Sequence, residues 1–148
     1  MPTLQFSLNL PVPNYELIKL VTNYENLKNY MPKQLQSLKI LEQSNNETVT
    51  EETVYFKTLK TTITQETVHR RISENQLEWE IKTGPVKGTV VKLLFEKDNY
   101  GTKVSIDADL KLGLKLKIFS PLIQKEYKKV LTGILYKMNT EILNQTSN

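Results

Sequence analysis

The sequence predicts an α+β domain, a seven-stranded curved antiparallel sheet that grips one long C-terminal helix. Three observations predict it. Apolar and polar residues alternate with period two near the start of the chain and again, with few breaks, from about residue 35 to 118. After Ser120 and Pro121 the apolar spacing changes to steps of three and four. Between the first alternating stretch and the rest lies a proline-marked segment with room for two short helices.

Leu4, Phe6, Leu8 and Leu10 alternate with Gln5, Ser7 and Asn9, which makes a strand with one buried face. Pro11 and Pro13 end it. Asn14 is the expected N-cap of a short helix carrying Leu17, Ile18 and Val21. A second short helix holds Tyr24, Leu27 and Tyr30. It stops before Pro32, because proline disfavours helical geometry in the residue ahead of it. Strands are expected over 38–43, 48–59 and 62–72, followed by a turn at Ser73 to Gln76. Leu77, Trp79 and Ile81 then alternate with Glu78, Glu80 and Lys82. Gly84, Pro85 and Gly88 punctuate the next connection. Val91, Leu93 and Phe95 point inward from the sixth strand, and Asp98, Asn99 and Gly101 supply a tight turn.

The last strand has the clearest pattern. Val104, Ile106, Ala108, Leu110, Leu112, Leu114, Leu116 and Ile118 share one parity. At about 3.3 Å per residue the run would extend roughly 50 Å, so it must bend or break, and Gly113 is the expected place. The closing helix presents Ile123, Tyr127, Val130, Leu131, Ile134, Met138 and Ile142 on one stripe over about six turns. Ser120 as N-cap and Pro121 at the first helical position mark its start. Gly133 near its middle costs roughly 1 kcal/mol relative to alanine. Either a close approach to the sheet or simple drift accounts for it.

The 148 residues suit a single domain spanning 1–148, with the tail 144–148 expected to be disordered. Without cysteine there is no disulfide, thiol chemistry or Cys-based zinc site. With one histidine there is little to build a transition-metal site from, and the residues call for no metal or cofactor. The net charge of +4 comes from 20 basic and 16 acidic residues, and the lysines are scattered. Nucleic-acid binders carry a clustered basic footprint, so no nucleic-acid partner is expected. No stretch reaches the ~20 apolar residues of a membrane span. The first ten residues lack the basic and apolar regions of a signal peptide, so a soluble, cytoplasmic protein is the expectation.

A strongly twisted sheet coils on itself. A long helix laid across its concave side closes it and leaves space that side chains need not fill, and such enclosures are usual ligand sites. Trp79, Ile81, Leu93, Phe95, Ile106 and Ala108 from the strands are the expected cavity lining, with Tyr30, Leu131 and Leu135 from the helices.

The local wording of the chain points the same way. Leu10-Pro11-Val12-Pro13 resembles a proline-marked entry to a first helix, and Asn29-Tyr30-Met31-Pro32 a second helix ended by proline. Gly84-Pro85-Val86-Lys87-Gly88 and Tyr100-Gly101-Thr102-Lys103-Val104 resemble turns before the later strands. Together with the element order, these motifs resemble the START and birch-pollen-allergen superfamily, the helix-grip fold, in its polyketide cyclase/dehydrase-like and coenzyme-Q-binding branches. The resemblance covers nearly the whole chain. It implies a hydrophobic small-molecule or lipid ligand (sterol, quinone or polyketide among them) without choosing one. The fatty-acid-binding barrel also inserts two short helices after its first strand. It ends in strands, however, whereas this chain ends in a helix.

Residues with chemical potential each have a plainer explanation. His69 is the only histidine, and Val68 and Ile72 suggest that the opposite parity is buried, which favours a surface or satisfied strand histidine over a general base. Trp79 fits a cavity wall or ordinary core equally. Glu78 with Glu80, and Asp107 with Asp109, lie opposite the apolar parity and read as solvated pairs. Adjacent Arg70 and Arg71 point to opposite faces. The inward one either anchors an anionic ligand or reaches the rim and is solvated. Val90 and Leu94 lie opposite Val91 and Phe95, where a homodimer mate or a bulged strand would cover them. The functional expectation is a carrier or sensor of an apolar ligand. The competing ones are a cyclase or aromatase using tyrosines such as Tyr30, Tyr55 and Tyr127, and a protein-interaction module.

Overall fold

The structure, a computed structural model, describes residues 3–146. Strand β1 (Thr3–Leu10) leads into helix α1 (Asn14–Val21) and a 3-10 turn (Tyr24–Asn29). Six strands follow: β2 (Leu35–Gln43), β3 (Glu47–Phe56), β4 (Thr61–Ser73), β5 (Gln76–Ile81), β6 (Val90–Asp98) and β7 (Gly101–Asp109). A single helical turn, α2 (Leu114–Lys117), precedes the long helix α3 (Ser120–Thr146). The sheet order is β1-β7-β6-β5-β4-β3-β2, and every neighbouring pair is antiparallel. This is the predicted seven-stranded α+β architecture.

The last strand differs from its sequence pattern. It stops at Asp109, and Leu114 to Lys117 is helical. Asp109 pairs with Thr3, the first residue of β1, and with Val90, the first of β6. Beyond it no ladder partner lies among the described residues, and the backbone finds hydrogen bonds elsewhere. The amide of Lys111 donates to Thr89 Oγ1 at 3.0 Å. Leu110 and Leu112 still reach the core, while Leu114 and Ile118 turn outward.

Three smaller expectations also change. Asn14 is already helical, and its amide donates to the Phe95 carbonyl at 3.1 Å instead of capping its own helix. Ser120 lies inside α3, whose first turn is closed by the Ile123 amide donating to the Phe119 carbonyl. That helix continues through Asn144 and Gln145 to Thr146, and the last two residues of the 144–148 tail lie outside the described residues.

Gly101 has a structural reason to be glycine. Its φ is 150°, and a Cβ there would sit 2.3 Å from the Leu10 carbonyl oxygen. The start of β7 thus abuts the bend after β1, where Thr102 Oγ1 donates to the Val12 carbonyl at 2.6 Å. Gly133 is different, because nothing lies within 4 Å of an added Cβ, so no close approach to the sheet requires it.

The ladder registers assign the faces. Leu77, Trp79 and Ile81 share the concave side with Val91, Leu93 and Phe95, and these with Val104, Ile106 and Ala108. The convex side carries Arg70, ion-paired to Glu47, Glu78 and Glu80. Val90 and Leu94 sit there too, half-buried, in an unbroken register that excludes a bulge in β6. Helix α1 packs on β6 and α3, and α3 packs on β1, so the β1-β7-β6 half of the concave face is covered directly.

Candidate functional site

The polarity of the concave face changes from one side of the sheet to the other. Across β1, β7, β6 and β5 it is almost wholly apolar. On β4 and β3 the same face carries Gln65, Thr67 and His69 beside Thr48, Thr50 and Glu52. Between this polar wall and α3 lies a cavity of about 160 Å³. That is room for about five waters, or one ring-sized ligand. Helix α3 contributes Tyr127, Val130, Leu131, Ile134, Leu135 and Met138, and the 3-10 turn and the loop after it contribute Leu27, Met31 and Gln34. Val21, Leu35, Val54, Phe56, Trp79, Ile81, Val91 and Leu93 complete the apolar lining.

Of the nine residues expected to line a cavity, Trp79, Ile81, Leu93, Leu131 and Leu135 do so. Phe95, Ile106 and Ala108 are buried but lie outside it, where α1 and α3 close directly on the sheet. Tyr30 is outside it as well. Its hydroxyl donates to the Glu141 carboxylate, and Lys137 Nζ donates to its carbonyl at 2.9 Å, so it fastens the end of α3. Burial, then Glu141, pushes the Tyr30 phenol up to about 12.

His69 corrects the parity expected from its neighbours. It is only 4% exposed, whereas Ile72 is 51% exposed. Its ring lies between Tyr24, with centroids 4.2 Å apart, and Trp79, at 5.7 Å. Nε2 is 2.9 Å from Thr50 Oγ1, and Nδ1 has no partner. Burial lowers the imidazole to about 3, so it is neutral at physiological pH. Burial also raises the Glu52 carboxyl, partly offset by the Thr67 and Thr50 hydroxyls. The Tyr127 phenol is raised by burial and by the nearby Glu52 and Glu126. The cavity therefore holds polar side chains in their uncharged or reluctantly charged forms.

Arg71 is the arginine on the concave side. It lies at the rim, is exposed, and donates to the Glu74 carbonyl at 2.9 Å, so the solvated alternative holds. Neither arginine and no lysine lines the cavity. At the other rim Glu126 accepts from the Lys57 and Thr58 amides, each at 2.8 Å, and ties α3 to the β3–β4 turn.

Glu52, Gln65 and Thr67 were not legible as site residues. Val49, Val68 and Tyr55 on the opposite parity of β3 and β4 blur the pattern. One signal was available: pairing the unambiguous Trp79 and Ile81 across to β4 places His69 and Thr67 on their face.

Comparison with known proteins adds the family. The model of the polyketide cyclase / dehydrase and lipid transport family matches residues 10–139. The chain belongs to this family. No curated protein matches the sequence. Among solved structures, Ara h 8.0201 aligns with a TM-score of 0.77 at 19% identity, covering 97% of this chain and 98% of that one. A START superfamily protein from Mycobacterium smegmatis aligns at 0.78 and 12%, covering 97% and 98%. The Zhui aromatase/cyclase from a Streptomyces species aligns at 0.79 and 10%, covering 98% and 95%. At these identities the likeness shows the fold, and the fold is that of the polyketide cyclase / dehydrase and lipid transport family. No helix of the described residues is long and apolar enough to cross a membrane.

Proposed function

We propose that the protein binds a hydrophobic small molecule in the cavity between β3–β6 and α3, as a carrier or sensor. The observation that carries this reading is a largely apolar void walled on one side by the sheet and on the other by α3, in a fold whose family description includes lipid transport. Cores are normally packed without voids of this size. A thermal-shift screen of neutral apolar compounds, together with native mass spectrometry of the purified protein, tests it. The expected result is a raised melting temperature or a co-purified apolar mass. If no apolar compound does either, the reading is wrong.

A second reading, catalysis of the cyclase or aromatase kind, draws support from the convergence of Glu52, His69 and Tyr127 on one cavity. An imidazole held near 3 is a weak base, so Glu52, raised by burial, is the better proton acceptor. Incubation with a linear poly-β-ketone mimic tests it by mass spectrometry. Loss of water beyond the uncatalysed rate, abolished by Glu52→Gln, is the expected result for an enzyme. Unchanged substrate argues for binding alone.

A further inference from the structure

Three residues lining the cavity carry a buried polar atom without a partner, Thr67 Oγ1, His69 Nδ1 and Trp79 Nε1, and the last two residues face each other across β4 and β5. Of that pair, Trp79 Nε1 is an obligate donor. The state of Nδ1 follows from its neighbours. Thr50 Oγ1 lies 3.4 Å from Glu52 Oε1, and we assign its hydrogen to that carboxylate, the pure acceptor of its two neighbours. Its oxygen then accepts from His69 Nε2–H, 2.9 Å away. In a neutral imidazole this leaves Nδ1 as an acceptor. An unmade donor and an unmade acceptor on paired residues, with ring centroids 5.7 Å apart, line the same cavity. Buried polar groups of this kind are seldom left unsatisfied.

We infer that the ligand carries an uncharged hydroxyl on a ring-sized apolar body, the hydroxyl accepting from Trp79 Nε1 and donating to His69 Nδ1. This deepens the binding reading above and rests on it. The other head groups fit less well. A carboxylate accepts but meets Glu52 and Glu126 with no cation among the lining residues. An ammonium finds the carboxylates but brings no acceptor for Trp79. A ketone or ether satisfies Trp79 and leaves Nδ1 bare. A hydrocarbon satisfies neither. The body is limited by the volume of about 160 Å³, which suits one or two fused rings.

Calorimetry with 1-naphthol, 1-methoxynaphthalene, naphthalene and 1-naphthoate at pH 7 tests this, because the ring is constant and only the head group changes. Naphthol is expected to bind roughly tenfold more tightly than naphthalene, with the methyl ether between them. Naphthoate is expected to be weaker than naphthol by about a hundredfold or more. Trp79→Phe keeps a ring and removes the donor. It should bring naphthol to within about threefold of naphthalene while naphthalene binding persists, and that persistence also reports a folded variant. If naphthalene, the methyl ether or naphthoate binds as tightly as naphthol, the hydroxyl assignment is overturned and the binding reading stands. If none of the four binds, and no other apolar compound raises the melting temperature, the binding reading itself fails.

A separate feature carries a second inference. Leu114 is 87% exposed, Ile118 78%, Leu122 56% and Phe119 39%, and they fall within nine residues across α2 and the start of α3. Leu114, Ile118 and Leu122 recur at steps of four, on one face of a helical path. Lys115, Lys117 and Lys125 fall in or beside the same stretch, Lys111, just before it, pairs with Asp109 at 3.3 Å, and no acidic residue lies between Lys111 and Lys125. Exposed apolar side chains among lysines match the chemistry of an anionic lipid surface, with apolar tips entering the interface and ammonium groups meeting the headgroups. We propose that this segment docks the protein on such a surface. Co-sedimentation should show binding to vesicles containing phosphatidylglycerol and not to pure phosphatidylcholine, weakened by salt. Ile118→Asp should remove it, and Lys115→Ala should weaken it roughly fivefold. No binding to the anionic vesicles overturns the proposal. So does a concentration-dependent dimer, seen by sedimentation equilibrium and abolished by Ile118→Asp, because a second copy is then what covers the patch.

Discussion

Replacing His69 by glutamine keeps a polar group within reach of Thr50 and removes the chain's only imidazole. In the fold burial holds that imidazole at about 3, against 6.5 when solvated. The native state therefore refuses a proton that the unfolded chain accepts. Stability from this site is fully present above pH 6.5 and is lost as the pH falls toward 3. At about 1.4 kcal/mol per pH unit, the loss between pH 7 and pH 4.5 is about 2–3 kcal/mol. Glu52 opposes it, because its raised carboxyl makes the fold relatively more stable on acidification. The Tyr24 and Tyr127 phenols, both raised by burial, stay protonated throughout. The difference between wild type and His69→Gln isolates the imidazole, since Glu52 is present in both. Urea unfolding followed by far-UV circular dichroism at the two pH values measures it. The wild type should lose about 2–3 kcal/mol more than the variant on acidification. Parallel losses would refute the buried, neutral histidine.

Glu52→Gln should stabilise the fold at pH 7, where keeping the buried carboxyl ionised is costly, and the advantage should vanish once the pH is low enough to protonate that carboxyl in both native and unfolded protein. Melting curves across that range check it. Gly101→Ala forces a Cβ to within 2.3 Å of the Leu10 carbonyl oxygen and should destabilise by about 2–3 kcal/mol, read from the urea midpoint. Gly133→Ala meets only open space in a helix interior and should stabilise by up to about 1 kcal/mol; a loss instead would mean the helix packs more closely there.

Much of the fold was legible because its signals are local. Seven alternating segments, two short helices, one entered after Pro13 and one ended before Pro32, and a stripe at steps of three and four are all local signals, and the structure holds all of them. The failures are where local pattern met a missing neighbour. Leu114, Leu116 and Ile118 continue the parity of β7 without a break, yet the strand ends at Asp109, where β6 begins opposite it. Ladder partners lie far away in sequence, so no local period records them. In the site, Trp79 and Leu131 were recognisable as lining, whereas Phe95 and Ala108 have the same pattern and sit in solid core.

The sequence by itself determined the architecture, the apolar stripe of α3 and the absence of thiol chemistry, since these follow from composition and periodicity alone. Only the tertiary structure decided which face of β3 and β4 is concave. Period two tells which side chains share a face, and register with β5 tells which way that face looks. That one choice turns Thr50, Glu52, Gln65, Thr67 and His69 inward. It makes the difference between an apolar void and a cavity with a polar wall.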